Sequence, residues 1–309
     1  MGQNQRRASY LGLTDCGELR YRAQRAREMM ADCNVCGRNC RVNRLAGELG
    51  ACRTGKETVV SSYGPHFGEE APLVGVRGSG TIFLTNCNLR CIFCQNYDIS
   101  DQGQGTVVTA EQLAGMMLSL QEQGCHNINF VSPSHQVPQI LAGLVLAASQ
   151  GLAVPLVYNT GGYDSPETLG LLDGVFDIYM PDCKYADNET ALRLSGVRDY
   201  WEVNRAAVRE MHRQVGDLEL DRRGVAYRGL LVRHLVLPND LSGTRQVMEF
   251  LASLSKNTYI NVMAQYRPCY EAAGVPEINR RITAEEYERA LRTAREAGLE
   301  RLDERARLV

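Results

Sequence analysis

The sequence lacks any run of 18 apolar residues, which excludes a membrane-spanning helix of ordinary length. It also lacks a charge imbalance: the net charge over 309 residues is −2, so nothing in the overall balance calls for nucleic acid. The opening residues, Met1-Gly-Gln-Asn-Gln-Arg-Arg-Ala-Ser9, carry no apolar signal core, and a cytoplasmic location without membrane attachment is expected. A chain of this length has room for one large core, or for a core and a small appendage. Cysteine, by contrast, is plentiful. Eleven cysteines in a chain without a secretory signal argue for metal or redox chemistry rather than disulfides.

Seven of the cysteines fall into two groups. Cys87, Cys91 and Cys94 follow an apolar stretch, Thr81-Ile-Phe-Leu-Thr-Asn86, with three and then two residues between them. At this cysteine content, chance produces such a triplet on the order of once in seventy chains. Thiolates so spaced on one loop converge on a single metal centre. Three of them on a four-iron cubane leave one iron without a protein ligand, open to a small molecule that binds through an amine and a carboxylate. A zinc site would want a fourth protein ligand, or a water. The second group is Cys33, Cys36, Cys40 and Cys52, with Gly37 supplying the turn of a metal knuckle. Zinc and a second iron–sulfur cluster both fit. The Cys-x2-Cys-x3-Cys run is closer to cluster-binding runs than to a ribbon built from two paired Cys-x2-Cys hooks. Cys16, Cys125, Cys183 and Cys269 read as isolated thiols.

Residues 17–31 predict a helix, with Leu19, Ala23, Ala26 and Met30 near one face and arginines around the others. Residues 53–80 lack periodicity and read as a turn-rich connector, from which His66, Glu69 and Glu70 reach either cysteine group. From residue 81 strands and helices alternate. Strands are expected at 81–86, 127–131, 154–158, 176–180, 230–236 and 259–263. Thr109-Ala-Glu-Gln112 and Thr283-Ala-Glu-Glu286 are capping boxes, and Ser165 and Ser242 are expected caps. Six strand–helix units predict an α/β fold with parallel strands, a barrel three-quarters closed. Chemistry in such a fold lies at the C-terminal strand ends, where the loop of Cys87, Cys91 and Cys94 sits after the first strand. The expected division is residues 1–75, a helix with a cysteine-rich metal-binding segment, and residues 76–309, the partial barrel with a C-terminal helix.

The strand ends then offer the ligand shell. They carry Ser132-Pro-Ser134-His135, Asn159-Thr160-Gly161-Gly162, Met180-Pro-Asp182-Cys-Lys184, Arg233-His234 and Gln265-Tyr-Arg267. The planar fork of Arg233 suits a carboxylate, either of a ligand or of Asp182. Asp182 and Lys184, two apart, point to one side and are able to pair with each other.

The run Cys87-Asn-Leu-Arg-Cys91-Ile-Phe93-Cys94-Gln95-Asn96, with an aromatic before its last cysteine, resembles the signature of the radical S-adenosylmethionine superfamily. It is most similar to the branch of proteins like pyruvate formate-lyase activating enzyme. Over about residues 80 to 270 the resemblance implies a partial (β/α)6 barrel. It implies that Cys87, Cys91 and Cys94 hold a [4Fe–4S] cluster with S-adenosylmethionine on the open iron, beside Phe93, Gln95 and Asn96. Ser132 and Ser134 stand where the family carries a Gly-Gly-Glu motif that meets the amino group of the cofactor. Asn159, Thr160, Met180 and Asp182 match positions that hold a monovalent cation, with Asn159 replacing an aspartate. Asp182 and Lys184 match an Asp-x-Lys segment, Arg233 a contact to the polar groups of the cofactor, and Gln265 a histidine near the ribose. The cysteine-rich N-terminal segment is similar to that of other branch members, which supports a metal there without naming it. The activity implied is reductive cleavage to a 5′-deoxyadenosyl radical that takes hydrogen from a peptide or protein, with flavodoxin or ferredoxin as electron donor. The rival expectations are radical modification of a small metabolite and a zinc-stabilised binding protein without catalysis.

Overall fold

Capping boxes set the two helix starts that the sequence marks best. Gln112 donates its amide to Thr109 Oγ1 (3.2 Å) while Thr109 donates its own to Gln112 Oε1 (2.8 Å). Thr283 and Glu286 repeat the arrangement at 3.1 and 2.8 Å. Each box satisfies two of the backbone donors that a helix start leaves open.

In the computed structural model residues 7–303 are described; the first six residues, part of the stretch read for a signal core, and the last six lie outside them. The strands are β1 (Thr58–His66), β2 (Ser79–Leu84), β3 (Thr106–Val108), β4 (Ile128–Val131), β5 (Leu156–Thr160), β6 (Ile178–Pro181), β7 (Glu219–Leu220), β8 (Ala226–Leu235) and β9 (Tyr259–Met263). The helices are α1 (Tyr10–Asp15), α2 (Glu18–Glu28), α3 (Ala71–Val74), α4 (Tyr97–Ser100), α5 (Ala110–Glu122), α6 (Val137–Ser149), α7 (Pro166–Leu171), α8 (Asn188–Ser195), α9 (Tyr200–Val215), α10 (Thr244–Leu254) and α11 (Ala284–Glu296). Strands β2, β4, β5, β6, β8 and β9 lie side by side in that order, all parallel. They fall where the alternating pattern expects strands, shifted at their ends by a few residues. Antiparallel strands flank them, β1 and β3 beyond β2 and β7 against β8. No pairing among the described residues joins β9 to β2, so the sheet is open.

Alternation divides each strand between two faces. Ile82, Phe130, Tyr158, Tyr179, Val232 and Val262 belong to the large core under the helices. There Phe176 meets Phe130, Tyr158 and Tyr179 with ring centroids 6.2, 4.9 and 6.1 Å apart. Val157, Ile178, Met180 and Leu231 form a smaller apolar cluster, which α3 reaches through Leu73. Toward the C-terminal strand ends that second face turns polar. The N-terminal helix α2 packs on α6, and its Leu19 and Ala26 enter the large core.

Three local expectations need correction. The connector 53–80 holds β1 and α3. Its Gly64-Pro65 reads as a turn, yet both residues pair with β2 in an irregular ladder that shifts register between Val60 and Ser62. Ser242 does not cap α10. Its hydroxyl donates to Leu235 O and accepts from Leu237 N, both at 2.8 Å, closing the turn after β8, and the helix starts after Gly243 at φ 63°. Ser165 does hold the N-cap position of α7, with Pro166 in its first turn, but makes no side-chain cap bond.

One glycine ties the ends of β5 and β6 together. Gly162 has φ +74°, and a Cβ there would fall 2.3 Å from Asp182 O and 2.2 Å from Asn204 Nδ2. Asn204 Nδ2 donates to Gly162 O and to Asp182 O, both at 2.9 Å. The substitution Gly162→Ala is therefore expected to cost about 3 kcal/mol, combining a left-handed φ with a backbone clash. Urea unfolding checks it: the midpoint falls while the m-value stays constant.

Candidate active site

The loop after β2 is held open by backbone that ordinary residues rarely adopt. Asn86 and Arg90 have φ of 68° and 54°. Asn86 donates its amide to Ile99 O (2.8 Å), Arg90 pairs with Asp101 (2.6 Å), and Ile92 donates to Leu194 O (3.0 Å). Phe93 does not line the cavity below. It is buried edge-on against Tyr185 and Tyr266 and anchors the loop from behind.

Each of the three sulfurs accepts a hydrogen bond. Leu89 N reaches Cys87 Sγ at 3.4 Å, Ser195 Oγ reaches Cys91 Sγ at 3.0 Å, and Ser100 Oγ reaches Cys94 Sγ at 3.1 Å. Sequence reasoning missed both serines. Burial pushes the Cys94 thiol up to about 11, and Cys91 and Cys87 add to the push. Burial raises Cys91 too, with Lys184 opposing and Cys87 reinforcing. Three sulfurs close enough to repel as thiolates want a positive centre among them.

All three line a cavity of about 580 Å³, a size that suits a small organic ligand. The strand ends close around it: Ser132 after β4, Asn159 and Thr160 on β5, Asp182 and Lys184 after β6, Arg233 on β8, and Gln265 after β9. Gln95 and Asn96 border it from the cysteine loop. No fourth cysteine is among its lining residues. Three hydrogen-bonded sulfurs on one side and convergent polar groups on the other fit a cluster with an open iron and a polar ligand beside it.

Other expected residues stand elsewhere. Ser134 is buried away from the lining, its hydroxyl 2.9 Å from Thr160 Oγ1, which donates to Asp164 (2.8 Å). His135 is buried, its Nε2 3.1 Å from Thr85 O, and burial pulls its imidazole down to about 4. Met180 lies in the smaller apolar cluster.

A buried charge network joins three strand ends. Arg233 Nε meets Asp182 Oδ1 and its Nη2 donates to Asn159 Oδ1, both at 2.7 Å, while Lys184 pairs with Asp182 Oδ2. Burial works against charge on Asp182, yet Arg233 and Lys184 together hold its carboxyl below the ordinary value. Burial likewise opposes the charge on Lys184, and Asp182 outweighs it. The oxygens of Asp182 and Asn159 expected to face a monovalent cation thus accept from two cationic side chains. Glu69 and Glu70, from the connector, also line the cavity. Asn261 Nδ2 donates to Glu70 Oε1 at 3.0 Å. Burial lifts the Glu69 carboxyl to about 7, with Arg233 pulling down and Glu70 pushing up.

Residues 81–220 match the family model of the Radical SAM superfamily. The chain is 34% identical over 283 residues to a protein of Methanocaldococcus jannaschii called "Uncharacterized protein MJ0674", covering 89% of this chain and 78% of that one. Residues 81–220 are a radical SAM superfamily domain. Such a domain implies a [4Fe–4S] cluster, S-adenosylmethionine, its cleavage to a radical, and an electron donor. Among the described residues no helix is long and apolar enough to cross a membrane.

The Glu69 shift has a sign. A carboxyl raised from 4.5 to about 7 binds more protons folded than unfolded, so its stabilising share is full below about pH 4.5 and lost as pH rises to 7. Glu69→Gln removes that loss. The variant is expected to gain stability relative to the parent between pH 5 and pH 8, by about 1–3 kcal/mol. Urea unfolding of both proteins at the two pH values measures the difference.

Proposed function

We propose that this protein is a radical enzyme of the activating-enzyme-like kind, in which Cys87, Cys91 and Cys94 hold the cluster and the strand ends hold S-adenosylmethionine. The observation that carries the reading is the convergence of the three cysteines and the polar strand-end groups on one cavity. The reading takes residues 76–309 as a partial (β/α)6 barrel and residues 1–75 as an N-terminal segment, whose last residues, His66, Glu69 and Glu70, also border the cavity.

When bound, the cluster and S-adenosylmethionine supply single-electron cleavage of the sulfonium to a 5′-deoxyadenosyl radical. The chain supplies position and charge. Arg233 and Lys184 present positive charge for the carboxylate of the ligand, in place of the monovalent cation. Their pairing with Asp182 fixes both side chains before the ligand arrives. Ser132, at φ 57°, would meet the ligand amine, with Asn159 and Thr160 beside it in the lining. Gln95 donates to Gln265 O at 3.1 Å, linking the cysteine loop to the end of β9, and with Asn96 would border the adenosine. Ser100 and Ser195, by donating to sulfur, favour the more negative, reduced state of the cluster.

The similarity of the Cys87–Asn96 run and of the Asp182-Cys-Lys184 segment to the activating enzymes supports a peptide or protein as hydrogen donor, a glycine in a partner enzyme being the model. Flavodoxin or ferredoxin is the electron donor in this reading, and the cytoplasm its setting.

Anaerobically reconstituted protein is expected to be brown and, with dithionite and S-adenosylmethionine, to release 5′-deoxyadenosine. Cys91→Ala abolishes the release. Arg233→Met, with iron content intact, lowers kcat/KM for the cofactor about 100-fold. A fully iron-loaded parent that releases no 5′-deoxyadenosine would sink the proposal. Deuterium transfer from a labelled partner peptide into 5′-deoxyadenosine tests the substrate class.

A further inference from the structure

Arg44 poses a charge problem that the strand-end site does not answer. It is the bulkiest of the fully enclosed side chains, 1% exposed. Its guanidinium donates to Gly55 O (3.1 and 2.7 Å) and to His135 O (2.9 Å), and Nη1 lies 3.8 Å from Cys33 Sγ. It forms no ion pair with a carboxylate among the described residues. Carbonyl dipoles solvate a cation without neutralising it, and a buried uncompensated charge costs several kcal/mol. Neutral thiols would leave that cost in place. Thiolates on a metal centre would remove it.

The four N-terminal cysteines are placed to do so. Cys36 is within electrostatic reach of Cys33, Cys40 and Cys52, and Cys52 is within reach of Arg44. The amide of Ala51 donates to Cys40 Sγ at 3.4 Å. Asn39, Arg41 and Arg53, immediately beside Cys40 and Cys52, have φ of 46°, 59° and 54°. Non-glycine residues hold such backbone only where the surroundings over-determine it. The spacing of Cys33, Cys36 and Cys40, two and then three residues apart, is that of cluster-binding runs rather than of two paired zinc hooks.

The same segment grips the loop after β2. Arg38, between Cys36 and Cys40, donates to Asn88 O (2.6 Å), Leu89 O (3.1 Å) and Ser195 O (2.9 Å). Ser195 is the residue whose hydroxyl meets Cys91 Sγ.

We propose that Cys33, Cys36, Cys40 and Cys52 hold a second iron–sulfur cluster, its negative charge balanced by buried Arg44, and that this centre braces the Cys87–Cys94 loop through Arg38. Arg38 is a positioning residue in this arrangement. The cluster assignment stands apart from the strand-end reading and is tested in its absence. Full-length protein carrying Cys87→Ala, Cys91→Ala and Cys94→Ala, reconstituted anaerobically, is expected to retain about four irons and four sulfides per chain. Adding Cys36→Ala and Cys52→Ala removes them. One zinc without sulfide overturns the cluster, and no bound metal overturns the site. In that triple-cysteine background, Arg44→Gln is expected to show a lower midpoint potential than Arg44→Lys, which keeps the charge. Equal potentials would overturn the charge balance. For the brace, Arg38→Ala in the otherwise native chain should leave the N-terminal iron in place. It should alter the electron paramagnetic resonance signal of the other cluster and slow 5′-deoxyadenosine release about tenfold. An unchanged signal overturns the brace.

Discussion

The Asp182 carboxylate is the point from which the arrangement of the strand ends follows. It is enclosed, it meets Arg233 through one oxygen and Lys184 through the other, and Arg233 passes on to Asn159. One carboxylate thereby links residues on β5, after β6 and on β8. Interactions of this kind are not favourable because charges attract in the abstract. Desolvation opposes each of them, and they hold only when every charge is met. That condition makes the junction sensitive to geometry, and the backbone beneath it is correspondingly tight at Gly162 and Asn204.

The cavity above this junction has two unlike walls. One is the cysteine loop, whose sulfurs accept from its own Leu89 amide and from the hydroxyls of Ser100 on α4 and Ser195 on α8. The other is the row of polar strand ends, with Glu69 and Glu70 contributed by the connector before β2. The first wall suits a metal cluster and the second a polar organic ligand. Their meeting in one space is what a radical SAM domain leads one to look for. The buried cations are distributed to match. Arg233 and Lys184 face carboxylate oxygen, while Arg44 faces only carbonyls and sulfur. That last cation lies against Cys33 in the N-terminal cysteine segment.

The site was partly legible before folding. The cysteine spacing, Asp182, Lys184 and Arg233 were readable because each sits in a short run next to an apolar strand. The capping boxes at Thr109 and Thr283 were readable because their partners lie three residues away. Ser242 failed as a cap because its hydroxyl was claimed by the turn after β8. Strand β1 was illegible because Gly64-Pro65 imitates a turn and its pattern of exposure is irregular at the sheet margin. Ser100 and Ser195 carry no signal of their own; a serine near a sulfur is known only when the chain has brought it there.

By itself the sequence determined the succession of elements, the two cysteine groups and the identity of the groups at each strand end. These depend on periodicity, capping and spacing, which act over a few residues. Only the tertiary structure decided which charges face each other, which sulfurs receive hydrogen bonds, and that Arg38 and Arg44 tie the N-terminal cysteine group to the body of the protein. Those outcomes join residues scores of positions apart, and they turn on desolvation, which no single residue possesses until the chain has closed around it.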